Sequence, residues 1–322
     1  MKKEILQLLI SAEDFISGEQ ISDKLNISRA AVWKYIKAIK EEGGVIEAHT
    51  KRGYKLVSFP DVLKPEYVNF WIEKPHGELE WLNEVDSTNE YAKLKAREGA
   101  QGGSVYVAER QTKGKGRMAR GWIADAGDAI MMSVILRPAF EPTKAPAVTF
   151  AAALGVVAAV RRVCGVDTKI KWPNDIVYNG KKICGILTEM SSDMDSVEYI
   201  VCGMGLNVNQ EKFVDEIAQK AISLRMIVGN KINRVQLCGA LTDSVFDYYE
   251  KYVEGGIDAI FDEYCANSVI IGKEIKVLSA NETVTGICVG FTRQGALVLN
   301  ADGEKRTFLA GEVSVRAGEE YI

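Results

Sequence analysis

The chain has 322 residues, of which 47% are hydrophobic and 26% are charged, and its formal net charge is −4. This composition is typical of a globular protein with two or three domains. Two histidines, His49 and His76, argue against a multi-histidine metal site and a His-based triad. Six cysteines without a C-x-x-C pair argue against disulfide staples and zinc ligands. We expect no apolar run of membrane-spanning length and no cleavable signal, and hence a cytoplasmic protein with reduced cysteines.

Residues 1–60 show the pattern of three helices followed by two strands. Apolar residues recur at helical spacing, and Ser28 is placed to cap a third helix that stops at Gly43. The two strands surround a basic tip at Lys51-Arg52-Gly53, as in a winged helix-turn-helix. This segment carries 10 basic and 8 acidic side chains, net +2, against −6 for the remainder.

The basic excess of this segment falls on the third helix and the tip, where DNA phosphates would lie. The pattern therefore predicts a DNA-binding domain, with a three-helix interaction module as the alternative. The residues predicted to contact DNA are Ser28, Arg29, Trp33, Lys34, Lys37, Lys51 and Arg52.

A basic loop follows an apolar strand at residues 105–108. Its cations are Lys113, Lys115, Arg117 and Arg120, and its glycines are Gly114, Gly116 and Gly121. Because glycine adopts positive φ readily, the loop can turn backbone N–H groups and cations toward an anion. We expect an anion-binding loop that orders on its ligand, with a solvated surface loop as the alternative. The match of residues 114–119 to a dinucleotide fingerprint is weak, because no apolar helix follows.

Polar residues mark two further strand ends. Ser87, Thr88 and Asn89 lie between a strand ending at Val85 and a helix starting about Glu90. Three neutral hydrogen-bonding side chains suit an amide or a urea, although a helix N-cap alone would also explain them. The Asn179-Gly180 pair predicts a type I′ hairpin turn, with Lys182 at the start of the second strand.

The rest of the chain predicts two more units. Mixed strands and helices as far as residue 266 indicate an α/β or α+β domain with its site at strand ends. Residues 269–322 predict a small barrel of five short strands, with turns at Asn281, Gln294-Gly295 and Asp302-Gly303.

Five segments occur in order: D-S-T-N (86–89), E-R-Q-T-K-G-K-G-R (109–117), K-W-P-N-D (171–175), K-K-I-C-G-I-L (181–187) and G-M-G-L-N-V-N (203–209). Together they resemble the biotin–protein ligases, and the winged helix in front resembles the bifunctional class that also represses biotin operons. The resemblance covers essentially the whole chain. It implies a multidomain α+β protein with a winged helix-turn-helix at 1–62, a ligase domain of the biotin/lipoate type with an α/β mixed sheet at 66–266, and an SH3-like barrel at 269–322.

The resemblance also implies a reaction in two steps. Biotin and ATP form biotinyl-5′-AMP, Mg²⁺ is expected with the ATP, and a lysine of a biotin carboxyl carrier domain then takes the biotin. This chemistry requires no enzyme nucleophile, which agrees with the few histidines. Because one winged helix offers few phosphate contacts, we also expect an adenylate-bound homodimer on palindromic operator DNA.

The site residues follow from the matched segments. Those implied to bind biotin are Ser87, Thr88, Asn89, Gln111, Lys115, Gly116, Arg117, Lys182, Gly203, Gly205 and Asn207. Those implied to bind ATP are Lys115, Arg117, Arg120, Asn174, Asp175 and Lys182, and the catalytic pair is Lys182 and Arg117. Asn174 and Asp175 could instead only hold the turn at Pro173. Lys115 departs from the arginine common in the family and lacks its bidentate fork, and Ala119 stands where a glycine is frequent.

Two alternatives stay open from the sequence. The ligase fold could serve only as a biotin sensor for a transcription factor, although Lys182 and Arg117 favour catalysis. A related lipoate-type enzyme is disfavoured by the D-S-T-N and K-G-K-G-R segments.

Overall fold

The computed structural model describes residues 1–279, 282–310 and 314–316. Its N-terminal part is the predicted winged helix-turn-helix. Ser17 and Gln20 form a capping box on the second helix, and the Ser28 hydroxyl accepts the Ala31 N–H of the third at 3.1 Å. The elements are α1 (Lys2–Ser11), α2 (Gly18–Leu25), α3 (Arg29–Glu41), β1 (Val45–His49) and β2 (Gly53–Ser58).

A mixed sheet of seven strands forms the middle of the chain. The strands stand in the order β3-β4-β5-β9-β8-β7-β6, with β3 and β4 parallel and the other neighbours antiparallel. The strands are β3 (Leu79–Val85), β4 (Val105–Gln111), β5 (Ala129–Leu136), β6 (Lys169–Lys171), β7 (Asp175–Tyr178), β8 (Lys181–Ser192) and β9 (Val197–Asn207). The predicted mixed-sheet fold is confirmed.

Helices cover both faces of this sheet. On one face α6, which is buried on most of its circumference, packs between the sheet and α9, and Gly155 lies against the Val245 backbone. On the other face α5 packs its Ala92 and Ala96 onto β4, β5 and β9. The helices are α4 (Pro65–Val68), α5 (Thr88–Arg97), α6 (Val148–Cys164), α7 (Asp215–Ala218), α8 (Leu224–Val228), α9 (Arg234–Gly255) and α10 (Asp258–Asn267).

Several predicted boundaries shift in the structure. The hairpin turn is correct, since Asn179 and Gly180 have φ of 45° and 77°. Helix α5 begins at Thr88, two residues before the predicted start, so Thr88 and Asn89 lie in its first turn. The sequence indicates a strand that ends at Cys202, before the G-M-G segment, whereas Gly203 and Gly205 lie inside β9.

The expectation about membrane-length runs is wrong. Residues Pro142–Cys164 form a helical segment that is long and apolar enough to cross a membrane, with a mean hydropathy of 1.7. In the fold, 67% of its apolar window is buried, because α6 lies between the sheet and α9. Its apolar character is therefore explained by burial in the core of the fold.

The C-terminal part is an antiparallel sheet of five strands in the order β13-β12-β11-β10-β14, as the SH3-like prediction requires. The sequence at 306–315 has the pattern of a single strand, but this segment holds the end of one strand and the start of another. Turns at Gly295 (φ 83°) and at Asp302-Gly303 (φ 53° and 89°) are as predicted, whereas the turn at Asn281 lies outside the described residues. The strands are β10 (Glu274–Leu278), β11 (Thr283–Phe291), β12 (Leu297–Ala301), β13 (Glu304–Phe308) and β14 (Ser314–Arg316).

A buried charge cluster joins the winged helix to the sheet. Arg234, 1% exposed at the start of α9, donates to the Asp61 carboxylate at 2.9 Å, to the Asp61 carbonyl at 2.7 Å and to Glu109 at 2.9 Å. Glu109, on β4, also accepts the Leu63 N–H at 3.1 Å. Burial alone lowers the pKa of Arg234, but Glu109 and Asp61 together raise it. The connecting segment is thus tied to the strand that leads to the basic loop.

A second cluster lies at the same junction. Glu42, at the end of α3, accepts hydrogen bonds from Lys2, Tyr67 and Lys64, the last at 2.7 Å. Burial alone raises the pKa of the Glu42 carboxyl, but these three donors lower it from 4.5 to about 2.

Candidate functional site

The candidate pocket lies over β8 and β9 beside the first turn of α5. It brings together five segments that are distant in sequence. The predicted biotin residues on its wall are Ser87, Thr88, Asn89, Gln111, Lys115, Gly116, Arg117, Lys182, Gly203 and Gly205. Trp122, Asn174 and Gly185 complete the polar and aromatic part of the wall.

The first turn of α5 forms the polar end of the pocket. The Thr88 N–H donates to Gln111 Oε1 at 2.7 Å, and the Thr88 hydroxyl lies 3.1 Å from the same oxygen. Because a backbone N–H only donates, the Gln111 oxygen faces α5 and its amide NH₂ remains directed elsewhere. Gln111 can therefore offer a donor to a carbonyl or carboxylate oxygen in the pocket.

The basic loop is held by partners within the chain. Lys115 Nζ lies 2.6 Å from Glu90 on α5, and Arg117 donates to Asn174 Oδ1 at 3.1 Å and to the Ala310 carbonyl of the barrel. Hydrogen bonds from Lys115 and then Lys93 lower the pKa of Glu90. Glu90 therefore balances the charge of Lys115 within the chain itself.

The predicted reason for the loop glycines is also wrong. Gly116 has φ −123°, and the positive φ in this turn falls on Met118, at 54°. The glycines instead permit close approach, since a Cβ on Gly114 would overlap the Trp122 carbonyl oxygen. That approach is held by the Trp122 N–H, which donates to the Gly114 carbonyl at 2.9 Å. Gly114 therefore brings the two ends of the loop together.

Trp122 covers the sheet where the strands carry glycine. A Cβ on Gly205 would overlap its indole ring, and one on Gly185 would lie 3.4 Å from it. Lys182 Nζ lies 5.7 Å from the ring centroid. The wall therefore combines a flat aromatic face with a cation, which suits an apolar ring that ends in an anion.

Lys182 stands between this pocket and an adjacent cleft. Its ammonium lies 2.5 Å from Asp175, and the two side chains are 24% and 13% exposed. Arg117, Arg120, Asn174 and Asp175 line the adjacent cleft together with Lys182. The residues predicted for ATP other than Lys115 thus meet in one cleft, beside the exposed apolar residues Ile123 and Val214.

Asn207 departs from its prediction. It lines the adjacent cleft rather than the candidate pocket. Its side chain bonds to the Ile222 carbonyl at 3.4 Å and accepts from Gln210 at 3.1 Å. These bonds hold the chain that follows β9, and the placement favours a contact with the nucleotide side of a ligand.

The winged helix presents its own surface. Arg29, Trp33 and Lys51 line one concavity between α3 and the wing. Trp33 is 58% exposed, with Lys37 Nζ 5.6 Å from its ring centroid. Arg52 is paired with Asp14 and lies over Phe15 at 4.3 Å.

The other two residues predicted for DNA occupy different settings. Lys34 is exposed on α3. The Ser28 hydroxyl is engaged in capping that helix.

Sequence reasoning missed two residues on the pocket wall, Trp122 and Gly185, and two residues that bond to the wall from behind it, Ser133 and Glu189. Ser133, 0% exposed, donates to Asn89 and lies 2.8 Å from the Thr88 hydroxyl, and Glu189 accepts from Asn89. A lone serine within the apolar strand A-I-M-M-S-V-I-L was a usable signal for Ser133. Glu189 carried none, because its partner lies 100 residues away.

Three family models match the chain. They are the HTH domain over residues 2–55, the Biotin/lipoate A/B protein ligase family over 81–207 and the Biotin protein ligase C terminal domain over 270–316. Over 316 residues the chain is 36% identical to the bifunctional ligase/repressor BirA of Bacillus subtilis (strain 168), an alignment that covers 96% of this chain and 97% of that protein. The chain belongs to the bifunctional ligase/repressor BirA family.

Two further matches agree with this assignment. The bifunctional ligase/repressor BirA of Escherichia coli (strain K12) is 28% identical over 318 residues, covering 98% of this chain and 97% of that protein. The solved structure of the biotin protein ligase from Aquifex aeolicus in complex with biotin and ATP matches with a TM-score of 0.67 at 28% identity. That match covers 75% of this chain and 99% of that chain.

The site offers few side chains that could bind a metal ion. Within the described part of the chain, no three His, Cys, Asp or Glu side chains are grouped to hold a metal ion. Asp175 is the carboxylate on the cleft wall, and Lys182 already pairs with it. The side chains present do not fit a metal held by the protein alone.

Proposed function

We propose that this chain is an ATP-dependent biotin–protein ligase and a biotin-responsive DNA-binding repressor. One pocket beside a cationic cleft is lined by the α5 first turn, the basic loop, Lys182 and the glycine-bearing strands. This arrangement is the observation that supports the proposal. Membership of the BirA family supports both activities. The proposed setting is the cytoplasm, and Mg²⁺ would arrive with the phosphates of ATP as part of that substrate.

In the first step the biotin carboxylate oxygen attacks the α-phosphorus of ATP. A new P–O bond forms, the bond to the β-phosphate oxygen breaks, and pyrophosphate leaves. Negative charge builds on the transferred group, so cations fixed in place stabilise the transition state more than the ground state. Lys182 and Arg117 are placed for this role, because both line the pocket and the cleft.

Binding of the two substrates is assigned by chemistry. Thr88 and Gln111 suit the urea of biotin, while the Trp122 ring, which lies against Gly205, suits its apolar rings. Arg117 and Arg120 suit the nucleotide phosphates through charge-assisted hydrogen bonds. Each substrate thus has its own region, and the two regions meet at Lys182.

In the second step an uncharged lysine amine of a carrier domain attacks the carbonyl of biotinyl-5′-AMP. An amide forms, AMP leaves with the electron pair of the mixed anhydride, and the amine loses a proton. The chain needs to hold the adenylate away from water and other amines until the carrier arrives. Arg117, tied to Asn174 and to the barrel, is placed to retain it.

The repressor activity is assigned to the winged helix. Its exposed Lys34, together with Arg29 and Lys51 around the concavity, can neutralise phosphates. We propose that adenylate orders the basic loop and thereby favours a homodimer that binds palindromic operator DNA. A ligand shifts such an equilibrium only through its preference for the ordered state.

The test measures pyrophosphate release and the transfer of biotin to a carrier domain, each with biotin and ATP. A DNA titration on the chain's own upstream region is run with and without both substrates. Release, transfer and ligand-dependent DNA binding are expected. DNA binding that responds to biotin without pyrophosphate release would instead establish the sensor alternative.

A further inference from the structure

A row of polar side chains runs behind the candidate pocket, and its centre is Asn89. The Asn89 side chain is 3% exposed, and its Nδ2 donates to the Leu187 carbonyl at 3.1 Å and to Glu189 Oε2 at 2.8 Å. Its Oδ1 accepts from Ser133 at 2.6 Å. Both amide hydrogens are therefore used inside the protein, so Asn89 has none left for the ligand.

The sheet leaves a space for this amide. A Cβ on Gly203 would overlap Asn89 Oδ1. The resemblance placed Gly203 beside the biotin ring, but the volume freed by the glycine is filled by Asn89. Gly203 and Asn89 thus form a fitted pair under the floor of the pocket.

Glu189 decides which way the Asn89 amide points. The two ends of an amide have nearly the same shape, whereas a carboxylate only accepts hydrogen bonds. Glu189 and the Leu187 carbonyl therefore hold Nδ2 on their side, and Oδ1 must face Ser133. The Ser133 hydroxyl also lies 2.8 Å from Thr88 Oγ1, on the pocket wall.

Glu189 also holds α5 one turn further along. Its other oxygen lies 2.9 Å from Lys93 Nζ, four residues after Asn89. Lys93 in turn lies 2.6 Å from Glu90, which also pairs with Lys115 of the basic loop. One carboxylate on β8 thus clamps two successive turns of α5.

We propose that Glu189 is a positioning residue for ligand binding. Through its hydrogen bond to Asn89, it fixes the position of the α5 first turn over the pocket. This inference rests on the proposed ligase function. When Glu189 is lost, Ser87 and Thr88 can shift against the sheet, so biotin binds more weakly. The nucleotide cleft lies on the far side of Lys182, and neither Glu189, Asn89 nor Lys93 lines it.

The test compares steady-state pyrophosphate release by wild type, Glu189→Ala and Glu189→Gln. Glu189→Ala is expected to raise the KM for biotin about tenfold or more, because a charge-assisted hydrogen bond is lost. The KM for ATP and kcat at saturating biotin should stay within about threefold. Glu189→Gln keeps an acceptor for Asn89 and should recover most of the biotin affinity.

Two matched variants separate the contributions. Lys93→Met removes the ion pair but leaves the bond from Glu189 to Asn89, and its biotin KM should rise less than that of Glu189→Ala. Glu198→Gln changes an exposed carboxylate of the same sheet, bonded to Ser191 at 2.8 Å, and should leave every parameter unchanged.

The outcomes distinguish failure of the proposed function from failure of the positioning role. If wild type releases no pyrophosphate with biotin and ATP, the proposed function is wrong. If wild type is active and Glu189→Ala keeps the wild-type KM for biotin, the positioning role is overturned. A variant that only unfolds more readily would lower kcat without raising the KM for biotin, and that result would also overturn it.

Discussion

Replacement of Lys182 by methionine tests the cation that the pocket and the cleft share. In the folded chain its ammonium pairs with Asp175 at 2.5 Å and faces Trp122. A fixed donor aimed at developing charge contributes about 2.7–4 kcal/mol, or about 100- to 1,000-fold in kcat. We expect Lys182→Met to lower the rate of pyrophosphate release by that factor and to change carrier labelling in parallel.

Lys182→Met should also lower the free energy of unfolding, and the exposure of the ion pair decides by how much. The lysine is 24% exposed and its partner 13%, so the pair is only partly shielded from water. Leaving Asp175 without this cation should cost about 1–3 kcal/mol of stability. The double variant Lys182→Met/Asp175→Asn removes both charges, so its urea midpoint should return toward wild type while adenylation stays low.

Lys181→Met provides the matched control. Lys181 precedes Lys182 on β8 and approaches the Ala218 carbonyl at 3.4 Å, away from the pocket. It should keep the wild-type rate. A rate for Lys182→Met within threefold of wild type, at saturating biotin and ATP, would refute the assignment of Lys182 to the transferred group.

Further predictions concern the loop, the sheet, the junction and the DNA surface. Arg117→Ser should form adenylate but release it about ten- to a hundredfold faster, because one charge-assisted contact is lost. Labelling of bystander lysines measures the released adenylate. An unchanged rate of adenylate dissociation would contradict the prediction. Gly205→Ala should weaken biotin binding, measured by calorimetry, because its Cβ would meet the Trp122 ring. Since the pKa of Glu42 is lowered to about 2, its carboxylate stabilises the fold above about pH 4.5 and loses this contribution as the pH falls toward 2. The urea midpoint of Glu42→Gln should therefore lie below wild type at pH 6 and converge with it at low pH. Lys34→Ala should reduce the salt slope of DNA binding by about one. Ultracentrifugation of the unaltered chain should show a stronger dimer with a non-hydrolysable biotinyl-AMP analogue. Equal dimerisation without the analogue would refute the proposal that adenylate favours the dimer.

Features set by neighbours in sequence were predictable. The Ser28 cap, the Asn179-Gly180 turn and the winged helix depend on local hydrogen bonds and periodicity, and they form where the sequence indicates. The candidate pocket was anticipated through the motifs, because most of them place their residues near the end of a strand or the start of a helix. Most of the predicted pocket wall therefore assembles as expected.

Features set by distant partners were not predictable. Arg117 bonds to a carbonyl 193 residues away, and Asn89 to a carboxylate 100 residues away. Periodicity and spacing carry no information about such pairs, because they arise only when the sheet and barrel have folded. The positive φ of Met118 is a further example, since local propensity assigns that conformation to the glycines around it.

The buried Arg234 cluster decides where the ligase could be separated from its DNA-binding part. Arg234 is 1% exposed, and two of its hydrogen bonds end on Asp61, which precedes the sheet by 18 residues. A fragment that began at residue 66 would lose Asp61 and the Leu63 N–H, and would leave Arg234 and Glu109 with fewer partners in a buried setting. A fragment that began at residue 61 would keep both. The last residues of the connecting segment therefore contribute to the stability of the ligase domain. A ligase fragment made without the winged helix should retain them.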